Sequence, residues 1–96
     1  MKDISVSIQP TNTPTIIKFV HTASITNGSY EYNNIDEAKN SQLTQQLFYL
    51  PFVKKVYITA DFIAIERFDI IEWSDVQEEV KEQIQTYLTE GGAIIS

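Results

Sequence analysis

No cysteine occurs among the 96 residues, and at this length a chain without disulfides or thiolate-held metal must rest its fold on apolar burial alone. The sequence carries enough apolar material for that. Hydrophobic residues make up 43% and charged residues 21%, which is ordinary for a globular domain and far from the composition of disordered chains. One domain over residues 1–96 is therefore expected. The same absence excludes thiol nucleophiles, and no iron–sulfur cluster can be held by cysteine within these residues. A net charge of −6 works against attraction to nucleic acid or anionic lipid, whose binding depends on lysine and arginine neutralising phosphates. Protein or small-ligand partners are therefore expected. The first residues lack a signal-peptide pattern and no segment approaches the length of a membrane span, so the expected location is cytoplasmic.

Polar and apolar residues alternate from Asp3 to Gln9, placing Ile4, Val6 and Ile8 on one face of a strand. Pro10 and Pro14 bound a break, and the β-branched and aromatic run Ile16–His21 reads as a second strand. The polar stretch 22–34 reads as a connection, with Asn27-Gly28 a turn signal and a short extended piece at residues 29–32. Ser41 is a fitting N-cap for a helix that carries Leu43, Leu47 and Leu50 on one stripe and ends at Pro51. Residues 53–59 and 62–68, separated by Ala60-Asp61, form a hairpin pattern. Ser74 and Gln77 have capping-box spacing ahead of a second amphipathic helix bearing Trp73, Val76, Val80, Ile84, Tyr87 and Leu88, with Gly91-Gly92 as its stop and residues 93–96 as a frayed end or short strand. The order β-β-α-β-β-α predicts an α+β two-layer sandwich: an antiparallel sheet with two helices on one face and the alternate strand residues wet on the other.

Several clusters, together covering nearly the whole chain, resemble the N-terminal domain of Nfu/NifU-type iron–sulfur scaffold proteins. Thr13-Pro14 followed by Ile17-Lys18-Phe19 is similar to the family's early proline segment and apolar-Lys-Phe triplet. The stretch from Ser41 to Ile63 resembles its helix, Leu-Phe-x-apolar-Pro-Gly-Val turn and Asp-Phe-Ile hairpin exit, with Gln42 standing for the usual proline and Phe52 for the usual glycine. Trp73 before an acidic helix is a further likeness. The resemblance implies a partner- or client-recognition domain. In full-length relatives a separate Cys-x-x-Cys domain holds the cluster, and those ligands have no positions here onto which they can be carried. The expected function is a non-enzymatic interaction domain accessory to cluster assembly or delivery, without a cofactor of its own; the alternative is a stand-alone binding module of the same fold with an unrelated role.

Other constellations have plainer readings. His21 could titrate near neutrality, yet no nucleophile motif accompanies it, so no catalytic residue is assigned. Asp75, Glu78, Glu79 and Glu82 could offer oxygen ligands to a hard cation, but without a calcium-loop pattern they read as a solvated acidic helix face and no metal site is assigned. Asp61 reads as a turn residue. Lys18, Lys54 and Lys55 are too few to make a nucleic-acid surface. Gly28, Gly91 and Gly92 form no phosphate cradle. Tyr49 and Phe52, flanking Pro51, are the pair read as a candidate exposed docking patch, because aromatic residues are enriched at interface hot spots; the plainer alternative is that both finish the core.

Overall fold

The computed structural model describes residues 4–22 and 28–91. Asp3, Asn27, Gly92 and the tail at 93–96, on which some of the sequence expectations fall, lie outside them. Five strands, β1 (Val6–Pro10), β2 (Ile16–His21), β3 (Tyr30–Tyr32), β4 (Val53–Ile58) and β5 (Phe62–Arg67), form one antiparallel sheet in the order β1-β2-β5-β4-β3. Helices α1 (Gln42–Phe48) and α2 (Trp73–Thr89) cover one face. The α+β sandwich thus stands as expected. The extended piece read at residues 29–32 is β3, paired with β4, and a 3-10 turn that the polar composition does not suggest follows at Ile35–Ala38. That turn is closed reciprocally, since the Glu37 N–H donates to Asn34 Oδ1 at 3.1 Å and the Asn33 N–H donates to Glu37 Oε1 at 2.8 Å.

Strand alternation puts Val6, Ile17, Phe19, Val56, Ile58, Ile63 and Ile65 under the helices, where they are buried with Leu43 and Leu47 of α1 and Val80, Ile84 and Leu88 of α2. Val53 and Val56 are three apart, a spacing that strict alternation would place on opposite faces. Val53 pairs with Arg67 but Lys55 with Glu66, so Lys54 is an extra, bulged residue and both valines reach the core.

Local chemistry fixes the ends of these elements. The Thr44 N–H donates to Ser41 Oγ at 3.2 Å, which makes Ser41 the N-cap of α1. Leu50 to Val53 make a tight turn, closed by the Val53 N–H on the Leu50 carbonyl at 3.2 Å. No non-glycine residue among those described has positive φ, so this turn does not use the left-handed third residue of a type II turn and accommodates Phe52 where the family has glycine. The β4–β5 turn likewise dispenses with glycine. Thr59 Oγ1 accepts from the Asp61 N–H at 3.3 Å and the Phe62 N–H at 3.2 Å, while the Thr59 N–H donates to the Phe62 carbonyl at 2.9 Å.

The N-terminus of α2 departs from expectation. Glu72, in extended backbone and without a side-chain cap bond, precedes a helix that already begins at Trp73, so Ser74 lies inside the first turn. The stop is as read: Gly91 adopts φ +86° and its N–H donates to the Leu88 carbonyl at 3.1 Å.

Two substitutions test this account. Phe19→Ala empties the centre of the core and is expected to cost about 3–5 kcal/mol in urea unfolding. Thr59→Val keeps the shape but removes the acceptor of the hairpin turn, with an expected loss of about 1 kcal/mol by the same measurement.

Candidate partner-binding surface

The end of the sheet remote from the β4–β5 turn carries most of the exposed large apolar side chains. Two loops meet there. The Phe68 N–H donates to the Phe52 carbonyl at 2.8 Å, joining the segment that leaves α1 to the segment that enters α2. Arg67, facing the helix side at the end of β5, is only 5% exposed and pins the second loop from beneath. Its guanidinium reaches Asp69 Oδ1 at 3.2 Å, Glu72 Oε2 at 3.6 Å and the Phe68 carbonyl at 3.3 Å. With the loop held inward by its charged group, Phe68 and Ile70 are turned out, 45% and 65% exposed.

Tyr49 and Phe52 separate in this setting. Tyr49, just past the last turn of α1, is 72% exposed. Phe52 is 8% exposed and meets the Trp73 ring edge-on at 5.9 Å, which corrects the expectation that both lie at the surface. The reason is geometric: the turn after Pro51 aims residue 52 into the corner between sheet and α2, where Trp73 supplies a large apolar partner. The exposed apolar end therefore consists of Tyr49, Phe68 and Ile70. Phe68, expected as the last residue of the second hairpin strand, instead lies beyond β5, which ends at Arg67, and Ile70 escapes a reading by periodicity because it lies in a loop.

The remaining candidates carry little chemistry. His21 ends β2 on the helix-covered face beside Val6, 5% exposed, and its backbone N–H donates to the Asp61 carbonyl at 3.0 Å. Asp61 occupies the hairpin turn, as read. Asp75, Glu78, Glu79 and Glu82 lie on α2, where Lys81 Nζ lies 3.7 Å from Glu78 Oε2. Among the described residues no group of three or more histidine, aspartate or glutamate side chains is placed to hold a metal ion. Residues 68–91 carry seven carboxylates against Lys81 alone, so the helix layer is strongly negative. Among the described residues no helix is long and apolar enough to cross a membrane.

Comparison with known proteins places this architecture. The family described as "Scaffold protein Nfu/NifU N terminal" matches residues 6–91. The "NFU1 iron-sulfur cluster scaffold homolog, mitochondrial" of Drosophila sechellia is 28% identical over 97 aligned positions, covering 99% of this chain and 34% of the relative. The protein of the same name from Drosophila erecta is 28% identical over 92 positions, covering 94% and 32%. The chain thus spans about a third of the length of the curated relatives it matches. Among solved structures, the solution structure of a NifU-like protein from Saccharomyces cerevisiae superposes with a TM-score of 0.82 at 26% identity, covering 97% of this chain and 85% of that one. A crystal structure of a Staphylococcus aureus protein shares the fold, with a TM-score of 0.66 at 17% identity and coverage of 83% and 98%. The sheet, the two helices and the segments around Pro14, Pro51 and Trp73 all fall within the matched span, and the chain belongs to the Nfu/NifU N-terminal family.

Proposed function

We propose that this chain is a non-enzymatic protein-binding domain that serves iron–sulfur cluster assembly or delivery by docking onto a separate cluster-carrying or cluster-receiving protein. The observation that carries the reading is the apolar end formed by Tyr49, Phe68 and Ile70, solvent-facing yet held in place by the buried Arg67 and the Phe52–Phe68 backbone bond. Exposed apolar side chains on a fixed frame lose little conformational freedom on binding, which favours a docking role. The relatives are named as cluster scaffolds, while these 96 residues contain no cysteine, so the iron and sulfur are assigned to groups outside these residues. Asp69 and Glu72, in the same loop as Phe68 and Ile70, are exposed beside the patch, which fits a partner whose apolar contact is rimmed by lysine or arginine. Location in the cytoplasm, alongside such a carrier, is part of this proposal.

The experiment mixes the purified chain with a cluster-loaded Cys-x-x-Cys carrier of the same organism and follows complex formation by sizing chromatography and calorimetry. A specific complex is expected. Combining Tyr49→Ala with Ile70→Ala should weaken it at least about tenfold, as removal of interface anchors does, while the circular dichroism spectrum stays that of the parent. Binding that is unchanged in the double variant, or absent with every cluster carrier and client tried, overturns the reading.

A further inference from the structure

The sheet face away from the helices is not simply wet. Ile16, Val20, Tyr57 and Phe62 are half-buried there, and Ala64 is buried beneath its neighbours. A shallow groove of about 360 Å³ runs beside Tyr57, Phe62 and Ala64. Lys18 lies over the Phe62 ring, 4.7 Å from its centroid. Charge is balanced on this face, unlike the helix layer: Lys55 lies 3.9 Å from Glu31 and the bulged Lys54 lies 4.0 Å from Glu66.

Strand register orders these residues in rows across the sheet. One row runs Lys18, Ala64, Tyr57, Glu31 over β2, β5, β4 and β3, and the next runs Ile16, Glu66, Lys55. The first row is self-complementary throughout, and the second through its Glu66–Lys55 pair. A two-fold axis laid along the strands between β5 and β4, in the plane of contact, sets each row against its own reverse. Lys18 then opposes Glu31 of the other copy, Glu66 opposes Lys55, and the small Ala64 opposes the bulky Tyr57. Side chains of opposite charge and of complementary size meet twice by symmetry, as a closed two-fold contact requires.

From this arrangement we infer that the open sheet face is a homodimer interface, with a second copy of this chain as its occupant. The acidic helix layers of the two copies then point away from each other, so the contact brings together the balanced surfaces of a chain that carries −6 overall. Three strands of roughly 20 Å and the shorter β3 of roughly 10 Å, at ~4.8 Å spacing, cover on the order of 300 Å² in projection. That lies at the small end of specific contacts, so the dimer is weak and concentration-dependent.

Sedimentation velocity from about 10 μM to about 1 mM reads this directly, a range suited to small, transient interfaces. The parent chain should move from monomer to dimer. Lys18→Glu alone and Glu31→Lys alone each create two like-charge contacts and should weaken association at least about tenfold. The double variant, which restores the opposition with signs exchanged, should recover it. Amide shifts of the parent on dilution give a second reading that needs no variant, and they should be confined to Lys18, Tyr57, Phe62, Ala64 and their neighbours. A chain that stays monomeric throughout, dilution shifts confined to another surface, or a double variant no better than the singles overturns the inference, the first outcome leaving the face to a different protein.

Discussion

Trp73 ties the two layers together. Its ring meets Phe19 of β2 edge-on at 6.0 Å and Phe52 at 5.9 Å, and its indole N–H donates at 2.9 Å to the Thr15 carbonyl, fifty-eight residues away in sequence. The same carbonyl accepts the Arg67 N–H at 2.9 Å. One side chain therefore connects the β1–β2 loop, the entry to β4, the end of β5 and the start of α2. An indole can do this because it combines a large apolar body with a single donor that must be satisfied when buried. The ring therefore fixes where α2 sets out from the sheet, while Arg67 holds the loop that carries Phe68 and Ile70.

The family's usual glycine after the first helix is phenylalanine here, and the structure shows how the substitution is absorbed. The turn at Leu50–Val53 avoids positive φ, so it tolerates a side chain, and the side chain gained is spent on Trp73. The backbone route is kept while the contact to α2 is enlarged. In this chain residue 52 is part of the core, and the exposed aromatic of the pair is Tyr49 alone.

Features set by local chemistry were legible in the sequence. The Ser41 cap, the Pro51 and Gly91 stops and the alternation that sets Val6 and Ile8 on one face of β1 follow from properties of single residues or adjacent ones. Features set by packing were not. The capping-box spacing of Ser74 and Gln77 is real, but Trp73 must be helical to bring its ring between Phe19 and Phe52, so α2 starts at Trp73 and leaves Ser74 inside it. The bulge at Lys54 is visible only as a three-residue spacing between valines, which is meaningful once both are known to be inside. The extended piece read at residues 29–32 is β3, but its pairing with β4 depends on a strand distant in sequence, so its place in the sheet was not legible. For the surface, no periodicity could show that Arg67 holds the loop carrying Phe68 and Ile70, nor that half the residues on the open sheet face are apolar neighbours.

The rims of the sheet have a further consequence. β1 ends in Pro10, which has no N–H to offer, and β3 on the opposite side is three residues long. Among the described residues neither border gives an incoming peptide a long ladder of backbone donors and acceptors. Recognition by strand addition is thereby disfavoured at both margins, and a chain with so many β-branched residues is guarded against stacking into fibrils by the very places where its sheet stops.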